Sequence, residues 1–446
     1  MKKSLFALAA LSAFAGAAQA QSSVTVYGVM DLGYIGSNSR DNATKIQKSA
    51  IGQGAETTSR LGFRGTEDLG GGMRAFFTVE LGLTPQNSEL SGGTAADSVQ
   101  RTTNGSGSAV DNRQSFVGIG KKGMGEISFG RQYTPVFVAG AATSVGQYNN
   151  IIGDVLYSGA SSVFSSASTA TSGNNNGQGF TNRASNSVQI KTDRLAGLVL
   201  SGMYAFNNQD QTQTGSNTTG GANFSSTGGS LGGTTNWNMW GIGGDFRWQK
   251  LIVTAAYQSF NTTYTNAVPA ANTIVNLNSP AATSGQLIAV TGSGSSTTLA
   301  IHPASNIDDK QTIVGAVYDF GILKAYAGWV GRKVNNNVAI AANTASGVAS
   351  AVAVGEQVNR TAQQIGVRGN ITPTVEYWAS VGNGKIKANV GAATANFTGY
   401  QLGSNYILSK RTNLYAIFGN SSTSSTSSSL GGVNANQYAL GVRHTF

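Results

Sequence analysis

The chain contains no cysteine, and only two of its 446 residues are histidine and six are proline. The lack of cysteine excludes a disulfide framework. The two histidines, His302 and His444, lie far apart, and no spacing typical of metal ligands is visible. The sequence therefore predicts no metal, no cofactor and no enzymatic activity.

Charged residues make up only 11% of the chain, with a formal net charge of +10. A basic chain can bind nucleic acid, but here the lysines and arginines are not clustered into a patch. We therefore expect no nucleic-acid partner.

Long apolar runs are also missing. After residue 20, no apolar stretch approaches the roughly 20 residues that a spanning helix requires. Because only helices and closed barrels satisfy all backbone polar groups inside a bilayer, any membrane crossing here must use strands.

Residues 1–20 have the pattern of an export signal. Lys2 and Lys3 precede an apolar run from Leu5 to Ala18, and the small residues Ala18 and Ala20 predict a cleavage site. The run is too short to span a membrane as a helix. We predict a cleaved signal peptide at 1–20 and an exported domain at 21–446.

Sixteen segments of the remaining chain alternate between apolar and polar residues, as strands with one apolar face do. They are 22–35, 57–66, 72–84, 111–121, 123–133, 184–192, 197–207, 237–248, 250–260, 310–320, 322–333, 358–369, 373–383, 396–408, 411–419 and 436–446.

Short turns between these segments alternate with long polar loops. The loops are 36–56, 85–110, 134–182, 208–236, 261–309, 334–357, 384–395 and 420–435. Long and short connections on opposite sides predict an all-β fold, a transmembrane 16-stranded antiparallel up-and-down β-barrel. An array of soluble β-sandwiches, the alternative, does not require this alternation.

Residue parity assigns the two faces of each predicted strand. Leu61 and Phe63 share one face, and Arg60 and Arg64 the other. A charge on the lipid face near the midplane costs roughly 2–4 kcal/mol, so the charges belong inside. The predicted lumen charges are Asp31, Arg64, Arg74, Glu80, Asp245, Arg247, Lys324, Arg360 and Arg368. An interior lined by both signs is expected to hold water.

Six blocks resemble the general porins of Gram-negative bacteria, in the beta-proteobacterial branch. They are SVTVYGVMD at 23–31, SRLGFRGTEDLGGG at 59–72, NRQSFVG at 112–118, GRQYTP at 130–135, LSKRTNLY at 408–415 and GVRHTF at 441–446. The resemblance implies a homotrimer of barrels in outer-membrane lipid and lipopolysaccharide, each with a third loop, 134–182, folded inward.

The resemblance also assigns a pore constriction. Arg60, Arg113 and Arg183 match a basic ladder that faces the third loop. Parity agrees for Arg60, which opposes Leu61, and for Arg113, which is predicted to oppose an outward Phe116; for Arg183 the start of the strand is uncertain. Asp154 is the one acidic residue of the facing loop.

Because basic charge dominates this predicted constriction, we expect passive diffusion of ions and small hydrophilic solutes with a moderate preference for inorganic anions. Arginine keeps its charge at any working pH. A substrate-specific channel for an anionic metabolite or sugar is the alternative, and an adhesin or structural barrel is a third possibility.

Two further roles are implied by the resemblance. Arg131 would face outward and receive an acid, Glu89 or Asp97, from a neighbouring subunit's second loop; an arginine reaching the lipid headgroups is the alternative. The barrel-assembly machinery would recognise the alternating residues of the last segment, which are Tyr438, Leu440, Val442 and Phe446.

Overall fold

The computed structural model describes residues 23–40, 45–86, 90–91, 110–156, 180–211, 233–266, 304–337, 354–388, 393–425 and 433–446. Within these ranges the chain forms seventeen strands and one helix. In chain order they are β1 (Ser23–Arg40), β2 (Lys45–Gln53), β3 (Arg60–Gly70), β4 (Met73–Gly82), β5 (Asp111–Lys121), β6 (Gly125–Tyr133), α1 (Pro135–Thr143), β7 (Arg183–Thr192), β8 (Leu198–Gln211), β9 (Gly233–Trp248), β10 (Leu251–Asn266), β11 (Ala304–Asp319), β12 (Leu323–Asn336), β13 (Gly355–Thr372), β14 (Val375–Ala388), β15 (Ala393–Ile407), β16 (Thr412–Ser425) and β17 (Val433–Thr445).

The strands form a closed antiparallel ring. From β3 to β17 each strand pairs with the next one along the chain. β1 closes the ring by pairing with β17 on one side and with β2 and β3 on the other. At this seam, Gly28 and Phe446 exchange two main-chain hydrogen bonds. Because β2 and β3 lie end to end along β1, the seventeen strands fill sixteen places in the ring, which confirms the predicted fold class.

The first predicted loop was wrong in part. Most of 36–56 is a β-hairpin, in which the end of β1 pairs with β2 from Arg40 and Lys45 back to Leu32 and Gln53. The β2 sequence, KIQKSAIGQ, does not alternate between apolar and polar residues, so no sequence pattern reveals the hairpin. The strands that border the last five long loops also extend beyond their predicted ends, because a ladder outside the hydrocarbon needs no apolar face.

The two faces of the ring have the polarity expected for a barrel in lipid. Large apolar side chains are exposed on the outer face, among them Val117, Ile119, Ile190, Leu200, Ile242, Ile365, Val381 and Leu402. Residues of the opposite parity are polar and buried, including Asp31, Thr254, Gln258, Gln311 and Gln401, each at 0% exposure. No helix in the described ranges is long and apolar enough to cross a bilayer.

The helix α1 opens the third loop, a stretch predicted only as a polar loop. The Thr134 side chain accepts a hydrogen bond from the Phe137 amide at 3.3 Å, and Pro135 occupies the first turn, where its missing N–H costs nothing. The helix packs on the inner side of β10 and β11, where the Thr254 hydroxyl donates to the Ala139 carbonyl at 3.0 Å. Gly315 of β11 allows this approach, since a Cβ there would lie 2.1 Å from the Thr143 hydroxyl.

Candidate functional site

Beyond α1, residues 144–156 run along the inner wall of the barrel. The Arg368 guanidinium of β13 donates to the Val145 carbonyl at 2.9 Å. The Ile152 amide donates to Gln437 of β17 at 3.0 Å, and the Val155 amide donates to Gln364 of β13 at 2.9 Å. These contacts hold the described part of the third loop against the inward-facing side chains of the wall.

Five glutamines, here called the glutamine ladder, line this wall at inward-facing positions. They are Gln258, Gln311, Gln364, Gln401 and Gln437, on β10, β11, β13, β15 and β17, and none is more than 4% exposed. Gln258 donates to Gln311 at 2.8 Å, and the other three bond to the third loop. Sequence reasoning missed them because it searched the inner face for charges. Their signal in the sequence was a neutral amide at an inward-facing position on five strands between β10 and β17.

The opposite wall carries the predicted arginines on β3, β5 and β7, which alternate with β4 and β6. Glu80 of β4 accepts a hydrogen bond from Arg113 of β5 at 2.8 Å and lies 3.8 Å from Arg60 of β3. The Tyr133 hydroxyl of β6 lies 2.9 Å from Arg113 and 3.1 Å from Arg183 of β7. The structure therefore brings the three arginines together around one carboxylate and one phenol; we call these five residues the basic wall.

Burial divides the basic wall into a deep part and an accessible part. The side chains of Arg113 and Glu80 are 3% and 5% exposed, and Arg60 is 25% exposed. Arg183 is buried with its guanidinium 4.7 Å from the centre of the Tyr133 ring. Three positive charges surround one negative charge, so the wall is net positive, and the low local dielectric strengthens its field. Arg60 is the arginine through which a solute meets that field most directly.

Arg113 reaches the inner face by a different route from the predicted one. In the β4–β5 ladder Glu80 pairs with Gln114, but Leu81 pairs with Asn112, so Arg113 is an extra residue at a bulge. Phe116 packs edge-on against Phe76, 6.4 Å away, on the same face as Glu80. The parity argument that set Phe116 outward was therefore wrong, because it allowed for no bulge.

Asp154 belongs to the part of the third loop that lies against β13. It is 4% exposed, and its carboxylate accepts a hydrogen bond from the Leu156 amide at 2.9 Å. The next residue, Val155, accepts a hydrogen bond from Arg360 of β13 at 2.5 Å. The described part of the third loop instead exposes Val138, Ala141 and Gln147, so it presents no charge to the lumen.

The remaining predicted lumen charges are mostly engaged with neighbouring groups. Asp31 accepts hydrogen bonds from the Glu56 and Thr57 amides and, at 2.6 Å, from the Tyr415 hydroxyl. It thereby fixes the segment between β2 and β3 rather than meeting solvent. Arg64 lies over the Tyr27 ring at 5.4 Å.

Other predicted lumen charges form ion pairs. The pairs are Arg74 with Glu126 at 2.6 Å, Arg247 with Asp245 at 3.1 Å, Lys324 with Asp319 at 3.9 Å and Arg368 with Glu376 at 2.5 Å. Asp245 also pairs with Arg194. Arg74, Arg247 and Lys324 are exposed near the short turns, whereas Arg368 is buried under the third loop.

The predicted subunit contact is described only at Arg131. Its guanidinium donates to the Asn112 carbonyl and to the Ser185 hydroxyl, each at 2.9 Å, and the residue is 8% exposed. Glu89 and Asp97 lie outside the described residues, as does the predicted signal peptide. The residues of the predicted assembly signal are all exposed on the outer side of the last strand; they are Tyr438, Leu440, Val442 and Phe446.

A closed ring that is apolar outside and polar inside defines a class of protein, the transmembrane β-barrel with a hydrated lumen. A sequence model described as Gram-negative porin matches residues 7–426, and the chain belongs to that family. It is therefore a protein of the Gram-negative outer membrane.

Known relatives agree with this assignment. The chain is 39% identical over 143 residues to an outer membrane porin protein of Bordetella pertussis, covering 30% of this chain and 34% of that protein. It is 51% identical over 80 residues to outer membrane porin protein 32 of Delftia acidovorans, covering 18% of this chain and 22% of that protein. These alignments thus span well under two thirds of the relatives' own lengths.

Among solved structures, the anion-selective porin from Comamonas acidovorans is similar over 96% of this chain and 100% of its own, with a TM-score of 0.60. At 18% sequence identity, this likeness establishes the shared fold.

Proposed function

We propose that the chain forms a water-filled channel through which ions and small hydrophilic solutes diffuse passively, with a moderate preference for anions. The observation that carries the proposal is the basic wall, in which three guanidiniums surround the single carboxylate of Glu80. The described part of the facing loop exposes no carboxylate to balance them.

The physical reason is electrostatic. Lumen charges act through a narrow aqueous space between low-dielectric walls, which focus the field and raise the local concentration of counter-ions. A net positive wall therefore favours anion entry. The Comamonas porin of the same fold is described as anion-selective, which supports the proposal.

The test is the zero-current potential of the purified protein in planar lipid bilayers under a KCl gradient. We expect the sign for chloride preference and a conductance that rises linearly with salt. The opposite sign would exclude anion preference, and the absence of any conductance would exclude the channel.

A substrate-specific channel for an anionic metabolite or sugar is the second candidate. The Tyr133 ring stacks on Phe137 of α1 at 3.9 Å and 8° between planes, directly beside Arg183. An aromatic face next to a guanidinium suits a planar or ring-bearing anion. Conductance that saturates and is blocked by one added solute would favour this candidate over general diffusion.

The proposal extends to the channel's surroundings. It assigns the chain no catalytic step, and it includes a homotrimer, contact with lipopolysaccharide, and delivery by the barrel-assembly machinery through Tyr438, Leu440, Val442 and Phe446. In the trimer, Arg131 would contact an acid of the neighbouring subunit. If an isolated trimer stays intact in detergent after the charge of Arg131 is reversed, the proposed contact is excluded.

A further inference from the structure

A groove of about 640 Å³ lies on the outer face of β11–β15, away from the lumen. Its sides are large exposed side chains, those of Val314, Trp329, Ile365 and Val381. Its floor consists of small residues, which are Gly315, Ala316, Ala327, Gly328 and Gly382. Small side chains between large ones leave a trough in an otherwise filled apolar surface, and the volume is in the range of ligand sites, roughly 300–1,000 Å³.

The trough continues into a second, more polar cavity of about 420 Å³. The two cavities share Trp329, Gln363, Asn383 and Thr398, so they form one depression. Where they meet, Gln363 donates to Asn383 at 3.2 Å on the outer surface. The second cavity ends at Lys385. The trough therefore changes from apolar to polar to basic along the direction of the strands.

The order of residues along β14 shows where the apolar, polar and basic parts of the trough lie relative to the bilayer. Val381, Asn383, Lys385 and Lys387 are successive exposed residues of its outer face and lead towards the long-loop side of the barrel. The Trp329 indole covers Gly331, where a Cβ would lie 2.6 Å from the ring. A tryptophan at this level is typical of the membrane–water interface.

The charge at the upper end of the trough is net positive. Lys333 of β12 pairs with Glu356 at 2.7 Å, and Glu356 also accepts a hydrogen bond from Asn359. Within the described ranges Lys385 and Lys387 have no carboxylate at ion-pair distance, and both are exposed.

We propose that this trough holds a lipid of the surrounding membrane that carries a net negative phosphate headgroup. An acyl chain lies over Ala316 and Ala327, and the phosphate meets Lys385 and Lys387. Apolar area is thereby removed from contact with loosely packed lipid, and each lysine gains a counter-charge. This inference does not depend on conduction or ion preference, so it can fail while the channel proposal stands.

The test is native mass spectrometry of the purified protein in detergent with added phosphatidylglycerol, or with phosphatidylcholine of the same acyl chains. We expect retained phosphatidylglycerol to exceed phosphatidylcholine. The double variant Lys385→Gln and Lys387→Gln should lower that preference by about 25-fold, since each lysine near an anionic surface contributes about fivefold. Lys121→Gln with Lys122→Gln, at a short turn, is the matched control and should change nothing.

The apolar half of the trough is tested separately. Ala327→Leu fills the floor and should reduce retention of both lipids several-fold, whereas Ala416→Leu, exposed on β16 outside the trough, should not. Equal retention by each variant and its control would overturn the proposal. A change in oligomeric state on Ala327→Leu with unchanged lipid retention would overturn it too, because the face would then be a protein contact.

Discussion

Asn149 of the third loop and Gln401 of β15 exchange two side-chain hydrogen bonds, of 2.6 and 2.9 Å, although they are 252 residues apart in sequence. Gln401 also donates to the Ile151 carbonyl at 2.9 Å. All of these groups are neutral amides, so the contacts do not change with pH. The contacts that hold Asn149 and Ile151 against β15 therefore keep their strength as the pH changes.

Replacing Gln401 by leucine should loosen the third loop. The change removes four hydrogen bonds, two with Asn149 and one each with the Ile151 and Ile152 carbonyls. Each buried group that is left unsatisfied costs about 1–3 kcal/mol. We expect increased open-channel current noise and faster protease cleavage within 134–182. Gln47→Leu, exposed on β2, is the control and should behave as the unmodified protein. Unchanged noise and cleavage in Gln401→Leu would show that the ladder does not hold the loop.

Neutralising Arg60 should weaken anion preference. At a distance of about 8 Å and an effective dielectric near 20, one unit charge changes the energy of a passing ion by about 2 kcal/mol before salt screening. Arg60→Gln should therefore shift the zero-current potential towards cation permeation by a several-fold change in the permeability ratio. Arg411→Gln removes one charge at an exposed short turn and should leave the ratio unchanged. Equal shifts in both variants would mean that total charge, rather than the basic wall, sets selectivity.

Neutralising Glu80 should affect selectivity and stability in opposite directions. Glu80→Gln removes the only carboxylate of the basic wall, so anion preference should rise. The same change leaves the buried Arg113 without its counter-charge, which costs about 3–5 kcal/mol. Bilayer recordings and the unfolding midpoint in denaturant measure the two effects. A variant with lower anion preference would contradict the assignment of Glu80 to the lumen field.

Asp154 provides the contrasting case. Because Asp154 is only 4% exposed whereas the Arg60 side chain is 25% exposed, Asp154→Asn should change the permeability ratio less than Arg60→Gln does. The comparison of the two zero-current potentials under the same gradient is the measurement. A larger effect from Asp154 would place its charge in the conduction path, as the family resemblance implies.

Much of the fold could be predicted from the sequence, because contact with lipid constrains the polarity of the outer residues. Where a strand crosses hydrocarbon its outer residues must be apolar, so the alternation that includes Leu61 and Phe63 is visible in the sequence. The β1–β2 hairpin lies under no such constraint, and its backbone pairing leaves no trace in residue types. Parity reasoning also fails at a bulge, as Arg113 shows, since one extra residue exchanges the two faces.

The candidate site could be predicted from the sequence only in part. Arg60, Arg113 and Arg183 were found through the resemblance, but their joint partners Glu80 and Tyr133 depend on register between strands. The glutamine ladder depends on contacts between residues hundreds of positions apart. Such contacts arise from the closed ring itself, and local sequence patterns do not encode them.

The pairing of β1 with β17 means that the barrel is completed by its most distant segments. Until that pairing forms, both strands present unpaired edges, which promote adhesion to other chains. Loop closure over such a separation is also slow. Folding in bulk water would therefore compete with aggregation, and productive insertion requires that the two edges be shielded until they meet.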